Sequence, residues 1–293
     1  MDISGHILAI LFPLFALTAL GYAVGRARHT DMSQANQLNM DVFVPALIFA
    51  ALANREFEIA RFVNLGLATL IVVVGSGLAA WALARLSRIE MRTLVPPIMF
   101  NNCGNLGLPL AVLAFGEAAL APAVVMFMVS NLLHFSYGAW LLDRGIRIRD
   151  VWRVPSVMAT FAGLAVTIAG IPLWSPLMTA VRMLGEISIP LMLFALGVRL
   201  AQSTLGQIPR GMLVAVARPA IGLGLAYGVL FFIDLPPQER ALLVVFGALP
   251  PAVLNYIFAE RYGQDPEAVA SMVLLGNLAA LVTLPLALVL ALL

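Results

Sequence analysis

Three observations predict an all-α membrane protein: ten transmembrane helices, built as two inverted five-helix repeats whose broken fourth and ninth helices cross. Hydrophobic residues make up 62% of the 293-residue chain and charged residues only 11%, less than half the roughly 25% of a soluble domain. Two apolar segments, 96–109 and 247–256, are interrupted in their middle by Pro, Gly and Asn. Short matches between the halves of the chain recur at a nearly constant offset.

Apolar stretches of about 20 residues span a bilayer, and ten are present, at roughly 4–25, 34–53, 62–86, 92–114, 117–141, 154–172, 176–200, 209–232, 239–260 and 266–293. Period-two alternation with aromatic girdles is absent, which excludes a β-barrel. The amino-terminal Met1-Asp2-Ile3-Ser4-Gly5-His6 has no basic region, so the first apolar segment is expected to stay as a helix. All basic residues are Arg, and the net charge of +2 is scattered, which gives no support for nucleic-acid binding. One cysteine, Cys103, excludes an intrachain disulfide and a cysteine metal cluster. The sequence holds no nucleophile elbow, zinc-protease helix or phosphate-binding loop, so neither an enzyme nor a cofactor is expected.

Arginines set the orientation. With the amino terminus outside, the inner ends of the spans hold Arg26, Arg28, Arg85, Arg88, Arg92, Arg144, Arg147, Arg149, Arg153, Arg199, Arg210 and Arg261. The outer ends hold only Arg55, Arg61 and Arg240. Both termini are therefore expected outside a cytoplasmic membrane.

The repeat divides the chain into 1–150 and 151–293. Val44-Pro45-Ala46-Leu47-Ile48-Phe49 matches Ile189-Pro190-Leu191-Met192-Leu193-Phe194, and Glu90-Met91-Arg92-Thr93-Leu94 matches Gln238-Glu239-Arg240-Ala241-Leu242. Phe115-Gly116-Glu117 and Ser130-Asn131-Leu132 match Tyr262-Gly263-Gln264 and Gly276-Asn277-Leu278. Five spans per repeat force the halves into opposite orientations. Two broken helices then cross near the midplane, where half-helix ends offer N–H groups to an anion and carbonyls to a cation. Irregular backbone survives at that depth only against protein or a water-filled cavity.

The segment Asn101-Asn102-Cys103-Gly104-Asn105-Leu106-Gly107-Leu108-Pro109 and the run from Leu249-Pro250-Pro251 through Asn255-Tyr256 to Glu260-Arg261-Tyr262-Gly263 resemble the auxin efflux carrier family, and bacterial members in particular. The resemblance covers the whole chain. It implies a fold like the bile-acid symporters and sodium/proton antiporters, with a scaffold of spans one, two, six and seven. Spans three to five and eight to ten would be the moving bundle, and the scaffold would form a homodimer. It implies organic-anion substrates: indole-acetic acid in plants, malate or malonate in some bacterial members. The long hydrophilic central loop of many plant members is absent.

The candidate substrate-binding residues follow from polarity at depth. Asn101, Asn102 and Asn105 either repair the break or bind substrate oxygens, since an unpartnered buried amide costs a few kcal/mol. Pro250, Pro251, Asn255 and Tyr256 are their second-half counterparts. Arg218 lies about nine residues into span eight, roughly 13 Å deep, where it would attract a carboxylate, pair with Glu186 or bond a helix carbonyl. Arg182 and Glu186, four apart, can pair with each other. Asn131 and His134 share a face of span five, where His134 lines a cavity, carries a proton or simply packs. The expected function is secondary transport of a small organic anion by alternating access. A sodium-coupled carboxylate or bile-acid-type symporter, or a membrane sensor or channel, are the alternatives.

Overall fold

A computed structural model describes residues 3–28, 30–53, 59–145, 148–203 and 206–292. Arg55 and Arg147, counted above toward orientation, and the last residue of the tenth expected span lie outside the described residues. The named elements are all helical: α1 (Ile3–Arg28), α2 (Ser33–Leu38), α3 (Val44–Leu52), α4 (Val63–Ser87), α5 (Met91–Met99), α6 (Leu108–Phe115) and α7 (Leu120–Leu133) come first. α8 (Ala139–Leu142), α9 (Pro155–Ile168), α10 (Ser175–Gln202), α11 (Ile208–Leu230), α12 (Pro237–Ala248), α13 (Val253–Tyr262) and α14 (Pro266–Leu292) follow. Wide π-helical turns at Asn39–Phe43, Cys103–Gly107 and His134–Gly138 join α2 to α3, open α6 and join α7 to α8.

Among the described residues, seven continuous segments are long and apolar enough to cross a membrane: Ile7–Arg28, Ser33–Leu52, Ala60–Ser87, Glu117–Leu142, Ser175–Gln202, Ile208–Leu230 and Pro266–Leu292. The other three expected spans are shorter as helices. The fourth is divided into α5 and the apolar helix Cys103–Phe115, and the ninth into α12 and α13. The sixth is α9, whose 14 residues reach only about 21 Å at 1.5 Å per residue. In the second half, α9, α10, α11 and α12 each carry Pro at their first or second position, where the missing N–H would have no intrahelical acceptor anyway.

The helices pack as two groups. α1 lies along α10, and α3 packs on α9 and α10. In the other group α4 packs on α5, α7 and α11, and α14 on α11, α12 and α13. The α1–α10 contact joins the two halves of the sequence backbone to backbone. A side-chain carbon at Gly197 would run into the Thr18 carbonyl, and one at Gly21 into that of Phe194. Small residues permit such close approach where lipid supplies no hydrophobic drive between helices. Phe12, Leu78, Val216 and Val282 are among the large apolar side chains left exposed, as a lipid-facing surface requires. At helix ends the Arg85 guanidinium lies 3.8 Å over the Trp81 ring and that of Arg144 lies 5.7 Å from the Trp140 ring, combining the aromatic and cationic anchors of a membrane interface.

Candidate functional site

The two interruptions meet. Helix stops at Met99 and resumes at Cys103; it stops again at Ala248 and resumes at Val253. Between these ends Asn101 and Pro251 form an antiparallel bridge. The Asn102 N–H donates to the Pro250 carbonyl at 2.8 Å, and the Ala252 N–H donates to the Phe100 carbonyl at 3.0 Å. Pro250 and Pro251 lie in the break itself, where they leave two fewer N–H groups to satisfy away from water. Pro96 and Pro97 do not break their segment. Both lie inside α5, and the ladder resumes beyond them with the Phe100 N–H donating to the Pro96 carbonyl at 2.9 Å. The first break therefore falls later, at Phe100, whose backbone is extended.

Side-chain amides complete the crossing. A half-helix that ends inside the protein leaves carbonyls without partners. Asn101 Nδ2 donates to the Phe246 carbonyl of α12 at 2.7 Å, and Asn255 Nδ2 to the Phe100 carbonyl at 3.0 Å. Asn277 of α14 donates to the Pro251 carbonyl at 3.1 Å and to its own helix at Val273, 2.8 Å. Its Oδ1 in turn accepts from Asn102 Nδ2 at 3.1 Å. Arg218 is 1% exposed, and its Nη1 donates to the Gly247 carbonyl at 3.1 Å. Gly222, one turn on, packs against the same carbonyl. Arg218 thus meets the carboxyl end of α12, where a cation offsets the half-helix dipole. It does not pair with Glu186. The buried Oδ1 atoms of Asn101 and Asn255 and the Nε2 of His134 have no hydrogen-bond partner among the described residues.

On one side of the crossing lies a cavity of about 170 Å³. The amino-terminal ends of both resumed half-helices border it, through Cys103, Gly104 and Asn105 on one and Ala252, Val253 and Leu254 on the other. All three π-helical turns reach it as well, through Asn39 and Met40, through Cys103 to Asn105, and through His134. Such turns widen a helix and expose backbone, and they recur at functional sites. Asn105 is half-buried on this wall, and its side chain makes no hydrogen bond to another described residue. Asn131, also on the wall, is held by a 3.1 Å bond from Nδ2 to Ser156 Oγ. His134 stacks on Phe100 with ring centroids 4.1 Å apart and planes at 7°, and meets the Phe258 ring edge-on. The one charged side chain among the described lining residues is Arg199 of α10. Its guanidinium lies 4.8 Å from the ring of Tyr256, whose hydroxyl donates to Glu260 at 3.1 Å. Of the residues expected at the site, Arg218, Pro250, Pro251, Asn255 and Tyr256 do not border this cavity.

A second cavity, of about 650 Å³, lies at the other end of the seam between the two helix groups. Leu47, Ala50 and Ala51 of α3 line it, together with Gly185, Glu186 and Ile189 of α10. The first cavity takes Val44 from α3 and Met192, Ala195 and Leu196 from α10. The turns around Pro45 and Pro190, matched in the internal repeat, therefore stand between the two spaces. Arg182 and Glu186 both line the second cavity but form no ion pair with each other.

The family model described as membrane transport protein matches residues 6–151 and 144–288. The chain belongs to the membrane transport protein family. It is 27% identical to a provisionally named malonate transporter of Rhizobium meliloti, over 95% of this chain and 93% of that protein. It is 21% identical to an uncharacterized transporter of Methanocaldococcus jannaschii, over 86% and 87% of the two chains. It is 23% identical to the uncharacterized transporter YfdV of Escherichia coli, over 94% and 95%. These matches bear out the likeness to bacterial members of the auxin efflux carrier family, and with the apolar helices they make the chain a multi-pass membrane protein.

Two residues that this family member brings to the crossing and its cavity are not among those expected there from sequence. Asn277 is visible in the sequence only as the repeat mate of Asn131, and that equivalence is the signal that both amides face inward from corresponding helices. Arg199 counts in the sequence only toward orientation. It shares a helix face with Met192, Ala195 and Leu196, but nothing in the spacing says that this face of α10 borders the cavity.

Proposed function

We propose that this membrane transport protein is a secondary transporter of a small organic anion, working by alternating access at the crossing of its broken helices. One observation carries the reading: two half-helix amino termini face the same cavity, at a point where both chains leave the helix. Each such terminus acts as about half a positive charge with unpaired N–H groups, a ready site for a carboxylate. Asn105 adds a free amide and Arg199 a full charge at the same wall. Arg218 serves instead to hold α12 against α11. The name of the Rhizobium meliloti relative makes malonate the first compound to test, and a cavity of about 170 Å³ suits an anion of that size.

The two cavities support the alternating mechanism. Leu47, Ala50 and Ala51 border one, and their repeat equivalents Met192, Ala195 and Leu196 border the other, as inverted repeats require. In this reading ten spans form two inverted five-helix repeats. The group containing α1, α3, α9 and α10 is the scaffold, which also forms the homodimer. The group containing α4 and α14 carries the site across an inner, cytoplasmic membrane. Uptake of radiolabelled malonate and other small carboxylates into proteoliposomes tests this, with proton, sodium or no gradient imposed. Saturable uptake accelerated by substrate on the opposite side is expected. Non-saturating flux would point to a channel, and no flux across the panel to a sensor.

A further inference from the structure

Glu239 stands in the first turn of α12, at the end remote from the crossing. Its side chain is 2% exposed, yet neither carboxylate oxygen accepts a hydrogen bond from a described residue. Its one ion-pair partner among the described residues is Arg61, whose Nε lies 3.9 Å from Oε1 and whose own side chain is 58% exposed. A carboxylate withdrawn from water without donors is strongly disfavoured as an anion unless it takes a proton or a cation. Glu239 lines the larger cavity, so either can reach it.

The surroundings favour a proton. Arg61 precedes α4, Glu117 precedes α7, and Arg182 and Glu186 lie on α10; all border the same cavity. Two guanidiniums there would repel a metal cation, and the described residues hold no group of three or more His, Cys, Asp or Glu side chains that could bind one. The other helices packed on α12 bring little charge to this end. α4 carries only Arg85 and α14 only Glu267, each at the far end of its helix. On α11, Arg218 is at the crossing, Arg210 pairs with Asp265, and the Tyr227 hydroxyl donates to the Leu290 carbonyl. Arg240, next along α12, is exposed.

We infer that Glu239 is a proton-binding site that loads from the larger cavity and couples proton movement to the motion of the two helix groups. α12 belongs to the group with α11 and α14, while Arg182 and Glu186 belong to the group with α1 and α3. A relative shift of the groups changes the charges facing Glu239, and with them its hold on the proton. The coupling rests on the transporter reading proposed above; the proton site itself does not.

Infrared difference spectra of the purified protein in liposomes, recorded across a pH titration without substrate, test the site. The wild type should show a protonated carboxylic band that titrates, absent from Glu239→Gln and retained in Glu117→Gln and Glu186→Gln. Arg61→Gln should move its midpoint to higher pH, because the cation favouring the charged form is gone, and this arm stands even if Glu239→Gln fails to fold. An unchanged band in Glu239→Gln, or an unmoved midpoint in Arg61→Gln, overturns the site. If carboxylate uptake is observed, a pH dye trapped in the vesicles should report proton flux with the wild type. Glu239→Gln should still exchange substrate but lose that flux; proton flux that persists in Glu239→Gln overturns the coupling. A titrating band at Glu239 in a protein that transports no carboxylate would sink the transporter reading and leave the site standing.

Discussion

The N–H of Asn102 donates to the carbonyl of Pro250 at 2.8 Å. These residues come from opposite halves of the chain, and their bond closes the crossing at the point where both helices are open. Asn277 is the side chain that fastens the bridge to a third helix, since it bonds the Pro251 carbonyl and the Asn102 amide together. Asn277→Ala should destabilise the protein by about 1–3 kcal/mol, the cost of leaving a buried polar partner unmet. Asn102→Ala should cost a similar amount, and the double substitution less than the sum, because the two share one network. Thermal unfolding in a fixed detergent measures all three.

Asn105 should behave differently. Its side chain bonds no other described residue and faces the smaller cavity. Asn105→Ala should leave the unfolding temperature near wild type and raise KM several-fold, about what one lost hydrogen bond of roughly 1 kcal/mol gives. Uptake kinetics and unfolding on the same preparation separate the two effects. A large loss of stability with unchanged KM would assign Asn105 to the fold.

Arg199 and Arg218 should separate in the same way. Arg199→Gln should weaken binding ten- to a hundredfold, in keeping with about 1.5–3 kcal/mol for a hydrogen bond to a charged group. Dicarboxylates should lose more than monocarboxylates. Arg218→Gln should lower stability and leave the KM of surviving protein nearly unchanged, because its guanidinium holds Gly247 and not the cavity. A strong KM effect from Arg218→Gln would return the anion's countercharge to that residue.

The broken segments are legible in the sequence because Asn, Gly and paired Pro in the middle of apolar stretches are costly unless a crossing satisfies them. The proposed division into two repeats rests on recurring short matches such as Val44-Pro45 with Ile189-Pro190. Where the first helix breaks is not, since Pro97 marks a missing donor but not the place where partners from α12 become available. The division of labour among the asparagines also depends on contacts between halves. Nothing in the spacing of Asn101 and Asn255 says that each gives its amide to a carbonyl of the other segment. Glu239 looks like an ordinary helix-end acid, and only its burial sets it apart.

Orientation is open to a direct check. A reporter fused after Leu293 should be active in the periplasm and silent in the cytoplasm, following the arginine bias of the inner ends. The reverse result would invert the membrane sides of the two cavities without altering their relation to each other.

Alternating access at the seam is tested most directly by paired labelling. In a Cys103→Ser background, Ala195→Cys places a thiol on the smaller cavity and Ala51→Cys places one on the larger. The rate of reaction with a polar thiol reagent is measured for each in proteoliposomes, with and without saturating malonate or the best carboxylate of the uptake panel. Substrate should shift the two rates in opposite directions, one wall opening as the other closes. Rates that move together, or that stay fixed while transport continues, would contradict a single site exposed to one side at a time.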